Sequence, residues 1–261
     1  MAFPYREYET LDEQFKVYYP KGEEELARQL SREVQQASTL LSKLLKLSGL
    51  ELEILLVAAD DWRHVPLEDD EEEPPELMLP YWTSTTDPPS LVVPVQMDEV
   101  LGEATSEKRA LLLYHELSHA FLEHDPRPWP DESPLWADEW QLQFLAFWLF
   151  QQIHGQSEYI TKDLQEQFAA SFEPEADGKT PVTVRGFDWY EDTAPEDYLE
   201  FVLLLEKFVT DLLARYDAKI LLRFLDAYRH DTPLLSEDVT KMLGKALGKG
   251  GEAWLEELTY F

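Results

Sequence analysis

Residues 105–124 read TSEKRALLLYHELSHAFLEH. Ala110 to Tyr114 is apolar, Thr105 stands ahead of it, and Asp125-Pro126-Arg127-Pro128-Trp129-Pro130 stops it. The pattern predicts one helix from Thr105 to His124. Inside it, His115-Glu116-Leu117-Ser118-His119 sets two imidazoles four residues apart. On a helix that spacing puts both on one face, one turn apart. Both can then meet a single ion at about 2.0–2.1 Å. Glu116 sits beside the first imidazole and near the position an ion leaves open, where a carboxylate can take a proton from bound water. Two histidines and a glutamate on a helix with so apolar an upstream half would be costly to bury without a compensating bond.

Upstream of this helix the chain alternates strand and helix. Gln14 to Tyr19 places Phe15, Val17 and Tyr19 at every second position and is predicted as a strand. Pro20-Lys21-Gly22 is a turn. From Glu23 to Leu47, the residues Leu26, Leu30, Val34, Leu40, Leu41, Leu44 and Leu45 recur at threes and fours, as an amphipathic helix requires. Ser48-Gly49 is expected to end that helix, with glycine at the left-handed position. Glu51 to Ala58 is a buried strand by its apolar density. The acidic run Glu68 to Glu73, closed by Pro74 and Pro75, is a solvated loop. Leu91 to Val95 is a short strand. Pro94 lacks an N–H, which predicts an edge strand.

Downstream the pattern is almost wholly helical. Ser133 is expected as cap and Pro134 as first residue of a helix running to about Gln152. Its stretch Phe144 to Phe150 is apolar on all sides and reads as a central core helix. A weaker helix over 157–171, a loop from Glu173 to Pro181, and a short strand over Val182–Trp189 follow. Helices over 196–216, 218–229 and 237–247 complete the chain. Gly244-Lys245-Ala246-Leu247-Gly248-Lys249-Gly250 lacks the spacing and the preceding strand of a phosphate loop and reads as a helix end. The expected fold class is α+β: a small mixed N-terminal sheet with an edge strand beside the HExxH helix, then a mostly helical half. No repeat or linker stands out, so a single domain over 1–261 is expected, with an α/β subregion at 1–104 and a helical subregion at 105–261.

Composition narrows the chemistry. The chain has 261 residues, 53 Asp and Glu against 22 Lys and Arg, a formal charge of -31, and no cysteine. Without cysteine, any metal falls to His, Asp or Glu. So negative a surface repels a phosphate backbone, which excludes nucleic acid as the expected partner. An anionic membrane surface is disfavoured for the same reason, and a basic peptide or protein would be steered toward the chain. The apolar runs fall far short of about 18 residues, so no membrane span is expected. MAFPYREYETLDEQF carries neither a basic start nor an apolar stretch, so no secretory signal is read there and a cytoplasmic location is expected.

A catalytic zinc takes three protein ligands. Leu135-Trp136-Ala137-Asp138-Glu139-Trp140-Gln141-Leu142-Gln143-Phe144 lies downstream, and nineteen residues separate His119 from Glu139. This segment, together with HExxH, resembles the gluzincins, the zinc-peptidase clan of thermolysin and aminopeptidase N. There the third ligand is a Glu in a segment like LWxNEGxAxY. The resemblance implies zinc held by His115, His119 and Glu139, with Glu116 as general base. It extends, weakly outside 110–150, to the small peptidase MA-like proteins. Asp138 stands where Asn is usual. Gln143 replaces the Asp that orients the first histidine in relatives of thermolysin; both would support the ligands from behind. Trp140 stands where a small residue is usual, and a ring there would narrow the cleft or reshape the helix. The aminopeptidase signature GxMEN is absent. A tyrosine opening a C-terminal helix stabilises the oxyanion in that clan, and Tyr198 sits in a comparable place, with Tyr190 and His230 as competitors. The implied activity is hydrolysis of peptide bonds, along an edge formed by Trp82 and Leu91 to Val95.

Two other readings accompany this one. HExxHxxGxxH or its Asp-ended form would recruit Asp125, which falls in register, though Leu122 replaces the turning Gly and no methionine offers a Met-turn. His124 and Asp125 are otherwise residues of the helix end. The second is a gluzincin-fold protein that binds a partner without turnover. His64 and His154 have no partner in sequence and read as structural or surface residues.

Overall fold

The computed structural model describes residues 3–67, 73–99, 103–155, 182–188, 195–230 and 232–261. The chain divides into two compact units. One holds Met1–His124 with Leu149–Gly155, the other Asp125–Trp148 with Gln156–Phe261.

The first unit is built on a five-stranded mixed sheet in the order β1-β2-β3-β5-β4. Its strands are β1 (Glu9–Asp12), β2 (Lys16–Tyr19), β3 (Glu53–Val57), β4 (Tyr81–Thr83) and β5 (Ser90–Pro94), and its long helices are α1 (Glu24–Leu45) and α2 (Ser106–Glu123). β1 runs antiparallel to β2, β2 and β5 run parallel to β3, and β4 runs antiparallel to β5. α1 buries Leu30, Val34, Leu41 and Leu45 of the predicted stripe, with Ala27 and Ala37 beside them, while Leu26, Leu40 and Leu44 are half-buried. It stops earlier than expected: Lys46, at φ 59°, takes the left-handed position assigned to Gly49. β3 is buried at every residue, which suits a central strand flanked on both sides by parallel partners. On one face of the sheet Leu55, Val57 and Val92 pack with Phe3, Tyr8, Trp62 and Val65. Each such side chain, fully buried, contributes about 1.5–3 kcal/mol.

The edge expectation needs correction. β5 lies between β3 and β4, and the edge is the three-residue β4. Pro94 is tolerated inside the sheet because of where it falls. Its neighbour Val95 donates to Val57 at 2.8 Å, so the alternate position, Pro94, faces the β4 side, where pairing has already ended at Tyr81–Val92. A peptide cannot pair along Ser90 to Val92, where β3 takes one edge of β5 and β4 takes the other.

In the second unit the described residues form α3 (Leu135–His154, whose end from Leu149 belongs to the first unit), α4 (Pro195–Arg215), α5 (Lys219–Tyr228), α6 (Ser236–Leu247) and α7 (Gly251–Glu257). Trp136, Trp140, Phe144, Phe208 and Phe224 are all fully buried. α3 begins one residue past Pro134, and Ser133 spends its hydroxyl on the Asp138 carboxylate at 2.7 Å. The strand expected over Val182–Trp189 is a turn through 182–188. Thr183 closes it by accepting the Gly186 N–H at 3.0 Å. Val184 and Arg185 donate instead to the carbonyls of Tyr260 and Phe261. The weaker helix over 157–171, the loop to Pro181, and Trp189 lie outside the described residues, as does most of the acidic run before Pro74. Among the described residues no helix is long and apolar enough to cross a membrane.

Candidate active site

α2 is capped as its sequence predicts: the Thr105 hydroxyl accepts the Lys108 N–H at 3.2 Å. Leu113, Tyr114, Leu117, Phe121 and Leu122 are buried, and their 3-4 spacing turns His115, Glu116, His119 and Glu123 to the other, more open side. The rings of His115 and His119 stand 5.3 Å apart, centroid to centroid, at 63°. Burial pushes the His119 imidazole down to about 3, and the charge of His115 adds to the shift. His119 is therefore neutral near pH 7, with a ring nitrogen lone pair available to an electrophile.

Glu116 meets the sheet. One of its carboxylate oxygens accepts the main-chain N–H of Trp82, in the middle of β4, at 3.0 Å. Two turns further along α2, Glu123 accepts the indole N–H of the same tryptophan at 2.8 Å. The expected edge strand beside the HExxH helix is thus β4. Trp82 is gripped at its backbone and at its side chain by two glutamates seven residues apart. The grip by Glu123 was not anticipated, although the seven-residue interval on one helix face was the available signal.

Other expected residues fall as follows. His154 is structural: its ring lies tilted against Phe150 at 4.4 Å and its Nε2 lies 3.1 Å from the Tyr114 hydroxyl. His124 ends α2, with Nε2 3.1 Å from the Ser48 carbonyl. Both oxygens of Asp125 bond Arg127, the shorter contact being 2.6 Å. Burial alone would raise the Asp125 carboxyl, and the Arg127 bonds outweigh it and hold it below its ordinary value. The Asp-ended alternative therefore finds its ligand already paired.

Glu139 and Gln143 are half-buried on α3. Asp138 accepts the Ser133 and Tyr228 hydroxyls, each at 2.7 Å, and burial raises its carboxyl despite them. Trp140 is fully buried, edge-on to Phe144 at 5.9 Å and Phe224 at 4.8 Å. It belongs to the core of the helical unit. Tyr198 is 44% exposed in the first turn of α4, its ring 6.3 Å from that of Phe187. His230 is half-buried just past α5. Tyr190 lies outside the described residues.

The imidazole pair fits two ligand positions of a zinc ion in residue type, and His119 does so in its neutral state. Among the described residues, no group of three or more His, Asp or Glu side chains is gathered so as to hold a metal. Compared with known proteins, the chain matches no family model and no curated protein.

Proposed function

We propose that the chain is a zinc-dependent peptidase of the gluzincin kind, a zincin-like fold with its chemistry on α2. The observation that carries the reading is the hydrogen bond from the Trp82 amide to Glu116, which fixes a carboxylate beside the histidine pair at the edge of the sheet. His115 and His119 would hold the ion. Glu139 would be the third ligand, on the resemblance of its segment, with Asp138 and Gln143 behind it. A bound zinc would supply Lewis acidity at a scissile carbonyl. Glu116 would take a proton from the attacking water and pass it to the departing amine. Trp82 would keep the Glu116 carboxylate from swinging into solvent. The exposed Tyr198 hydroxyl would donate to the developing oxyanion.

The test is metal content beside turnover. About one zinc per chain is expected, lost on His115→Ala. Glu116→Gln should keep the zinc and slow peptide hydrolysis by about 10²–10⁴-fold. Unchanged turnover in Glu116→Gln would sink the general-base role. A second reading, a binding protein without turnover, draws on the fact that among the described residues no third donor is gathered with the histidines. It takes over if the protein binds no zinc from an excess.

A further inference from the structure

We infer that the cleft between the C-terminal end of α2 and the β4–β5 turn is a subsite for the side chain of a lysine or arginine in a bound peptide, with Glu123 reading the positive charge. The inference rests on the peptidase reading for the role of the peptide, and on the cleft itself for the cation.

The cleft holds about 340 Å³. That is the low end of the roughly 300–1,000 Å³ range of ligand sites, sized for one long side chain. Besides Trp82, Ser84 and the His124 imidazole, whose Nε2 is turned to the Ser48 carbonyl at 3.1 Å, its lining has two chemical parts. Leu50, Pro89 and Ala120 supply apolar wall. Glu51 and Glu123 supply carboxylates, and no lysine or arginine lines it. An aliphatic stem ending in a cationic head matches both parts. A neutral or acidic side chain matches only one, or neither.

Two features make this more than a pair of acidic residues near a hollow. The first is orientation. Glu123 is exposed, yet its Oε2 is fixed by the Trp82 indole N–H at 2.8 Å. An exposed glutamate usually loses rotamer freedom when it captures a cation. Here part of that ordering is already done, and the carboxylate is aimed before the ligand arrives. The second is position. Trp82 lines the cleft with its side chain and holds Glu116 with its main chain. The cleft and the proposed general base thus share Trp82, and a side chain in the cleft lies about two turns along α2 from Glu116, within the reach of a bound peptide. The formal charge of -31 adds long-range steering of a basic peptide toward the same place.

The experiment uses the full chain carrying Glu116→Gln, which keeps an oxygen for the Trp82 amide and removes turnover. It is titrated with two decapeptides that differ at one central residue, lysine or norleucine. The lysine peptide should bind about tenfold tighter, the equivalent of one charge-assisted contact. That preference should shrink as salt is raised to about 0.5 M. Adding Glu123→Gln, which retains an acceptor for the indole, should collapse it. Glu51→Gln should remove a smaller share. Equal affinity for the two peptides, or a preference indifferent to both substitutions, would overturn the subsite. Wild-type hydrolysis of a peptide library then separates the two ideas. Binding preference without hydrolysis keeps the subsite and removes the peptidase. Hydrolysis with no bias toward basic residues does the reverse.

Discussion

α2 and α3 carry all the proposed metal ligands and the base, and they are built on opposite plans. α2 divides its surface. Leucines and aromatics fill one side, and the other presents two imidazoles and two glutamates that reach a strand edge and a cleft. α3 has almost no polar side. Its tryptophans and phenylalanines are buried or half-buried, and among the described residues the Trp140 indole N–H and the Gln141 side-chain oxygen have no partner. Ser133 and Tyr228 hold Asp138, and Gln141 donates to the Ala137 carbonyl at 2.6 Å. The first helix keeps its polar atoms for something else, while the second uses them to be a helix in a core. In this molecule the face that leaves polar groups partly open is the one to read for chemistry.

The strongest way to break that contrast is at Trp140. If α3 is a core element, Trp140→Ala should cost about 3–5 kcal/mol in urea unfolding. Its indole N–H has no hydrogen-bond partner among the described residues. Trp140→Phe should accordingly cost less than about 1.5 kcal/mol. A small loss for the alanine variant would mean the ring is not structural after all.

Acid should pull the two helices in opposite directions. His119 titrates at about 3 in the folded metal-free protein, against about 6.5 unfolded. The unfolded chain binds the extra proton in that window, so this contribution to stability is lost as pH falls from about 6.5 toward 3. Asp138 has the reverse sign. Its folded value is raised, so the folded state binds the proton more readily, and stability is lost as pH rises from about 4 through that raised value. Chemical denaturation across pH should show His119→Asn flattening the acid-side decline and Asp138→Asn removing a decline of the other sense. Parallel changes in the two variants would contradict the contrast.

The smallest effect belongs to the cap. Thr105→Ala removes the side-chain cap of α2 and should cost about 1 kcal/mol, read as a lower midpoint with an unchanged denaturant slope.

Legibility followed the range of the determinants. α1 and α2 were readable because their patterns close within a few residues: the buried stripe of α1, the Thr105 cap, the four-residue spacing of the histidines. The sheet was half-readable. Buried β3 announced itself by density, but β4 is three residues in a stretch rich in proline, threonine and serine, and it is a strand only because β5 pairs with it. Pro94 misled for a related reason. The rule against proline in a sheet concerns the direction of one N–H, and direction depends on which neighbour ends first. The turn over 182–188 looked like a strand because Val182 and Val184 alternate, and it was decided by carbonyls more than seventy residues away. Of the candidate site, the pair His115 and His119 with Glu116 was legible from one helix. The clamp on Trp82 needed the tertiary structure, and the standing of Glu139 as a ligand rests on its segment's resemblance.

The Trp82 amide carries one more consequence. A sheet that ends in an open strand exposes N–H groups on which another chain can build, and this is a common start of aggregation. β4 is short, and the N–H of its central residue is occupied by the Glu116 carboxylate. The charged group that we propose as base thus also seals this edge against growth by a second copy, so that a variant that strips the acceptor away, such as Glu116→Ala, would unlock a template for self-association where Glu116→Gln, with its remaining oxygen, would not.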